Sequence, residues 1–318
     1  MLVSIVIPVF NSSVLDELAD RIDRVFQAAP GHEYEIVFVD DASPNSSVWP
    51  TLERLAATRP NVQAIQLSRN FGQQPATLCG LHACAGDVVI TMDDDLQHLP
   101  EDIPKFLSAG DFDIVIGQFD HKAHGALKRM NSSIKGVFDQ VILGKPRGIK
   151  LGPYRMLTRT VVDGVLAIRT PHPFIPAMMF HVSKNVTGVP VSHAPRSEGR
   201  SGYTLLKQVR LFSNLVINNS SLVLRLVGYS GVAFAMISVL FAIWTVIKWF
   251  VFGRAVKGWA SLFTAELLIG GMLLFGIGII GEYLIRIVES SEVRPTYFVR
   301  RSAGAAHVPE AVGERITR

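Results

Sequence analysis

The chain reads as an α/β domain with a mostly parallel sheet, followed by a two-helix membrane hairpin. Two observations predict this. Consecutive apolar runs alternate with helical patterns through the first half, as strands covered on both faces do. Charged residues then all but vanish between Val227 and Gly281.

Strands are expected at Leu2–Val9, Tyr34–Asp40, Val62–Leu67, Val88–Met92 and Asp113–Gly117. Helical patterns fall between them, near Val14–Ala29, Val48–Thr58 and Pro75–Ala85. In such sheets ligands bind beyond the carboxyl ends of the strands. The distinctive residues cluster there: Pro8-Val9-Phe10-Asn11, Asp40-Asp41-Ala42-Ser43 and Asp93-Asp94-Asp95. Asp, Asn and Ser serve ordinary turns, but three adjacent carboxylates repel one another and call for a bound cation.

No charge interrupts Val227–Ile247, and only Glu266 and Glu282 interrupt Ser261–Ile285. About 20 apolar residues cross the hydrocarbon layer, so each run is expected to span it. The hairpin occupies 226–287, with spans at about 227–247 and 261–285, and a tail follows at 288–318. Basic residues outside the hairpin outnumber Lys248, Arg254 and Lys257 inside it, which favours cytoplasmic ends. Glu266 either reaches the interface or serves as a functional carboxylate. Glycines 270, 271, 276, 278 and 281 permit close packing, within the hairpin or between copies of the chain. Within the preceding segment, 204–225, Leu205, Val209, Phe212 and Val216 share one helical face. Lys207, Arg210, Asn214 and Asn218 share the other, the pattern of an interfacial helix.

The net charge of +4 suits phosphate ligands and an anionic membrane surface better than a nucleic-acid duplex. Cys79 and Cys84 are too few for a disulfide framework and read as buried thiols. No basic n-region precedes the first strand, so a secretory signal is not expected.

The string Leu67-Ser68-Arg69-Asn70-Phe71-Gly72-Gln73, followed by Thr91-Met92-Asp93-Asp94-Asp95-Leu96-Gln97-His98-Leu99-Pro100-Glu101, resembles family 2 glycosyltransferases. More narrowly it resembles the polyprenyl-phosphate sugar transferases, as do Arg196–Tyr203, the hairpin and the closing Arg294-Pro295-Thr296-Tyr297-Phe298-Val299. The resemblance implies a Rossmann-like GT-A nucleotide-sugar domain over 1–203. It makes Asp93 and Asp95 the ligands of Mg²⁺ or Mn²⁺, with Gln97 close by. Asp40 would contact the nucleoside, with Pro8, Val9 and Asn11 lining its pocket and Asp93 adjoining the nucleotide. Ser12 departs from the glutamate common after that asparagine.

For the acceptor phosphate the resemblance offers Lys128 with Ser132, neighbouring Arg129, and Arg196 with Ser201. Gly202 stands where relatives carry a lysine, and Arg200 would supply that charge. Solvated or lipid-facing roles remain open for these basic residues. Pro153 stands where many relatives have an acid. A phosphate monoester, with a second pKa of about 6, is already an ionised nucleophile, leaving positioning and electrostatics to carry the rate. The formamidoarabinose branch also tolerates a non-acidic residue there.

The expected activity is inverting transfer of a sugar from a nucleotide donor, a UDP-sugar, to a polyprenyl phosphate. The setting is a two-span protein of a bacterial inner membrane with a cytoplasmic catalytic domain. Membrane lipids and a second copy of the chain are the other expected partners, and nucleic acid is not. The alternatives are a processive polysaccharide synthase, disfavoured because no Arg-Trp pair occurs, and a non-catalytic nucleotide-sugar scaffold. His98, His121, His172 and His181 are pocket candidates, or structural or exposed residues.

Overall fold

A computed structural model describes residues 1–29, 31–119, 148–170, 173–192, 258–291 and 295–304, with single positions between 229 and 251. The chain divides into two compact units: Met1–Gly202 with Val293–Arg318, and Tyr203–Glu292.

The first unit is built on an eight-stranded sheet. Its strands are β1 (Leu2–Val9), β2 (Glu33–Asp40), β3 (Val62–Leu67), β4 (Val88–Thr91), β5 (Ile114–Phe119), β6 (Arg155–Thr158), β7 (Val186–Val191) and β8 (Val299–Ala303). Their spatial order is β7-β5-β6-β4-β1-β2-β3-β8. The first four strands are parallel, with β1 flanked by β2 and β4. Strand order therefore reverses between β1 and β4, and in sheets of this kind ligands bind at such a reversal, beyond the carboxyl ends of the strands.

The helices are α1 (Leu15–Ala28), α2 (Val48–Thr58), α3 (Gln73–Ala83), α4 (Ile103–Leu107), α5 (Arg159–Ala167) and α6 (Ile175–Val182). Side chains alternate across β1, so its two faces pack against different helices. Val3, Ile5, Ile7 and Val9 join Leu18 and Ile22 of α1 and Leu52 and Leu55 of α2 in one core. Val6 faces α3, which approaches closely at Gly80. A Cβ there would stand 2.3 Å from Val6 Cγ1.

The parallel centre agrees with the sequence expectation, and the flanks add to it. β6 runs antiparallel between β4 and β5, and β8 runs antiparallel beside β3. β6 is four residues long and carries a buried arginine, so it lacks an apolar strand pattern. β8 lies within the expected 288–318 tail, yet it completes the sheet. All six residues of β3 are buried, so an uncovered edge there would expose a ladder ready to pair with another chain.

In the second unit α7 runs uninterrupted over Trp259–Ser291. Its described side chains include exposed Leu262, Leu273, Ile277, Ile280, Leu284 and Ile287. The described positions from 229 to 251 are also helical and expose Met236, Leu240, Ile243, Ile247 and Val251. Among the described residues, no helix is long and apolar enough to cross a membrane. The expected interfacial helix lies outside the described residues.

Candidate active site

Three loops meet at the crevice, each leaving the carboxyl end of a parallel strand. Each contains a non-glycine residue in the left-handed conformation: Asn11 (φ 59°), Ala42 (φ 54°) and Leu96 (φ 59°). Asparagine tolerates that region, whereas alanine and leucine adopt it only when their surroundings hold them. Strain of this kind clusters where the backbone is shaped for a task.

Hydrogen bonds hold the loops together. Asp94 Oδ2 accepts the Phe10 N–H at 3.0 Å, and the Ser12 hydroxyl donates to the Asp94 carbonyl at 3.0 Å. These bonds bridge β1 and β4 across the reversal, so the middle carboxylate of the triplet ties the site together. The Asn11 N–H donates to Ser43 Oγ at 2.9 Å, and the Asn45 N–H to Asn11 Oδ1 at 3.2 Å. Asp41 accepts the N–H groups of Phe71 and Gly72 at 2.7 and 2.8 Å. That clamp positions a turn in which Gly72 takes φ 99° and Gln73 starts α3.

Gln73 Nε2 then donates to Asp93 Oδ1 at 2.5 Å. On the other side the Asp93 N–H donates to His98 Nδ1 at 2.9 Å, which places the imidazole proton on Nε2. His98 is buried and stacked between Phe119 and Tyr154, with centroids 5.5 and 5.1 Å away. It is a structural prop of the site. Asp95 Oδ1 accepts the Gln97 N–H at 3.1 Å, and Asp95 and Gln97 are both half-buried.

The electrostatics single out Asp93. Burial, then the charges of Asp95 and Asp94, push its carboxyl up to about 7, against the opposing effects of Arg155 and Gln73. Arg155 is buried in β6, donates to Thr91 Oγ1 at 3.2 Å, and is pushed down to about 10 by burial. It is the buried cation facing an acidic crevice. Sequence reading passed over it, although a lone arginine among Tyr154, Met156 and Leu157 was the available signal. Gln66, Gln73, Asp41 and Asp94 were likewise unassigned, because only the tertiary contacts give them roles.

Asp40, expected to touch the nucleoside, is fully buried with both oxygens engaged, by the Ser43 N–H at 2.9 Å and Gln66 Nε2 at 2.6 Å. It shapes the loop from beneath. Pro8 and Val9 are also buried and form a floor, while Asn11 is exposed at the rim. Pro153 does reach the site: its carbonyl accepts the Thr91 hydroxyl at 2.6 Å, so the expected position is there without an acid.

The remaining candidates cannot be placed. Lys128, Arg129, Ser132, Arg196, Arg200 and Ser201 lie outside the described residues, as do His121 and His172. His181 is exposed at the end of α6.

Fold and site together define an α/β enzyme domain whose ligand crevice lies at the strand-order reversal. The model of a protein family described as glycosyl transferase family 2 matches residues 4–166. The undecaprenyl-phosphate 4-deoxy-4-formamido-L-arabinose transferase of Pseudomonas fluorescens (strain Pf0-1) is 34% identical over 313 residues, covering 94% of this chain and 89% of that one. The protein of that name from Klebsiella pneumoniae subsp. pneumoniae is 32% identical, covering 94% of this chain and 93% of that one. Among solved structures, glucosyl-3-phosphoglycerate synthase from Mycobacterium tuberculosis aligns with a TM-score of 0.48 and 13% identity, covering 68% of this chain and 79% of that one. The chain belongs to glycosyl transferase family 2, and it is a glycosyltransferase.

Proposed function

We propose that this glycosyltransferase transfers a sugar, with inversion, from a UDP-sugar to a polyprenyl phosphate at the cytoplasmic face of a bacterial inner membrane. The observation that carries the reading is the acidic crevice between β1 and β4, with Asp93 pushed up to about 7 beside Asp94 and Asp95. Clustered carboxylates at a strand-order reversal fit a cation and a phosphorylated ligand. The acceptor follows the relatives that match this chain over nearly its whole length, which are named for undecaprenyl phosphate.

The residues present fit a divalent ion. Asp93 and Asp95 offer hard oxygen ligands, with Gln97 beside them, while Asp94 is occupied with Phe10. Among the described residues no group of three His, Cys, Asp or Glu side chains could hold an ion unaided. Mg²⁺ commonly rests on one or two carboxylates and takes substrate phosphate oxygens for the rest. When bound, Mg²⁺ or Mn²⁺ would neutralise charge on the departing diphosphate.

The chain's own groups then position the reactants. Gln73 and His98 fix Asp93, and Asp94 holds the β1 loop against the triplet. Pro153 offers no base, and an ionised acceptor phosphate needs none. Lys128, Arg129, Ser132, Arg196, Arg200 and Ser201 are proposed to hold that phosphate by charge-assisted hydrogen bonds.

A membrane setting is supported by α7 itself. No charge lies between Glu266 and Glu282 in its full sequence, and most of its described apolar side chains are exposed. Exposed apolar area of that extent marks contact with lipid or another protein. The hairpin and its cytoplasmic ends are part of this proposal.

The test is direct. Purified protein in detergent is mixed with undecaprenyl phosphate, Mg²⁺ or Mn²⁺ and a panel of UDP-sugars, and lipid products are identified by mass spectrometry. A glycosyl phospholipid that disappears with EDTA and in Asp95→Ala is the expected result. Sugar transfer only to a non-lipid acceptor, or undiminished by EDTA, overturns the reading.

A further inference from the structure

The polar contacts continue away from the crevice to the far edge of the sheet. Asp40 Oδ1 accepts the Ser43 N–H, and Ser43 Oγ accepts the Asn11 N–H. Asp40 Oδ2 accepts Gln66 Nε2–H at 2.6 Å. Gln66 Oε1 in turn accepts Arg301 Nε–H at 2.7 Å. Asp40 and Gln66 are buried, whereas Arg301 lies on β8, the strand that follows α7 in the chain.

The chemistry of this run is directional. A glutamine amide has a donor end and an acceptor end, and a turn by half exchanges them. With its oxygen facing Asp40 the amide would repel a buried carboxylate. Arg301, which can only donate, holds the amide oxygen and so keeps the NH₂ on Asp40.

Two features fix Arg301. Its guanidinium lies over the Trp49 ring, 4.5 Å from the centroid, and Trp49 belongs to α2. Gln66 pairs with Arg301 and Leu67 with Val299, so the register shifts at this point. An extra residue in one strand re-aims the neighbouring side chains.

We propose that Arg301 is a positioning residue for nucleotide binding, acting through Gln66 and Asp40 on the Ala42–Ser43 turn and Asn11. β8 is then a working part of the donor site, delivered from the far side of the second unit in sequence. The proposal rests on the reading that the β1 and β2 loops hold the nucleotide. Ala42 is strained at φ 54°, and a strained turn keeps its shape only while its supports remain.

The test measures UDP binding, with Mn²⁺ present, to the full chain in detergent by calorimetry, and KM and kcat for whichever donor the wild type uses. Arg301→Met is expected to weaken UDP about tenfold and raise donor KM similarly, with kcat within about twofold. Gln66→Met should do the same, and the double variant should be no worse than either single one, as members of one chain of contacts behave. Arg301→Lys, which keeps a donor but loses the fixed fork, should recover part of the loss. A merely structural Arg301 would lower the active fraction, reducing kcat and leaving KM unchanged, and that pattern overturns the proposal. Wild-type affinity in Arg301→Met overturns it alone. Failure of the wild type to bind any nucleotide sinks the donor reading, and this inference with it.

Discussion

Glu35 and Asp93 are acidic residues at opposite rims of one sheet, and the fold treats them in opposite ways. Glu35, near the start of β2, accepts from Ser4 Oγ, Gln63 Nε2 and the Ala85 N–H at 2.5, 2.8 and 2.6 Å. Ser4 Oγ also accepts the Gly86 N–H, so one carboxylate stitches β1, β2, β3 and the turn before β4. Asp93, just past the end of β4, has Gln73 as a donor but faces Asp94 and Asp95, and its carboxyl is pushed up to about 7. A satisfied buried carboxylate specifies structure. A carboxylate crowded by its own kind awaits a ligand that brings positive charge. Opposite rims of one sheet thus hold a satisfied carboxylate and a crowded one.

The largest expected effect tests the chemical rim. Asp95→Asn should lower turnover by about 10²–10³-fold, the scale of losing one electrostatic group at a reacting centre. Its Tm should hold or rise, because the repulsion with Asp93 and Asp94 is relieved. A clear fall in Tm with activity retained would make Asp95 a structural residue and erase the contrast.

Glu35→Ala should show the reverse. Leaving three donors unpaired should cost about 3 kcal/mol of unfolding free energy by denaturant titration, with kcat per folded molecule unchanged. Cys84 reports the same opening. Burial holds its thiol above the ordinary range, so alkylation at pH 8 should be slow in the wild type and faster in the variant. Unchanged labelling would show that Glu35 does not hold this rim closed.

A smaller effect is expected at the β2 loop. Glycine accepts φ 54° freely, so Ala42→Gly should relieve about 1 kcal/mol of strain and raise Tm by a few degrees. The looser loop should raise donor KM. A lowered Tm would mean that the turn is not strained in solution.

The smallest effect belongs to a surface pair. Arg21 donates to both oxygens of Glu101, at 2.9 and 2.6 Å, and holds that carboxyl below its usual range. With the folded pKa below the unfolded value of about 4.3, this contribution is present above that value and is lost as pH falls through the folded pKa. Glu101→Gln should therefore trail the wild type slightly in Tm at pH 7 and match it at the acid end of the profile. Solvent and salt screening keep the difference small.

Much of this was legible beforehand where physics acts locally. The first four strands read correctly because a strand buried on both faces is an uninterrupted apolar run: β1 and β3 have the expected bounds. The acid triplet, the Asn11 loop and Pro153 were found because like charges, turn chemistry and motif spacing are written along the chain. β6 and β8 were missed for the complementary reason. Each is short and carries arginine, and only pairing with β4 or β3 makes either a strand. Asp40 was given a nucleoside contact by the family resemblance, and the structure adds that its side chain is buried. Its hydrogen-bond partner Gln66 lies 26 positions along the chain.

What the sequence by itself determined, then, is the class of fold and the acid triplet, since periodicity and charge density are properties of neighbouring residues; the family came from the resemblance of its motif strings. Tertiary structure alone decided which carboxylate does what. It turned Asp94 into a bridge, Asp40 into a buried support, His98 into a prop and Arg155 into a hidden counter-charge. A side chain's role follows from its burial and its partners. Most of those partners lie tens of positions away and meet only when the sheet assembles.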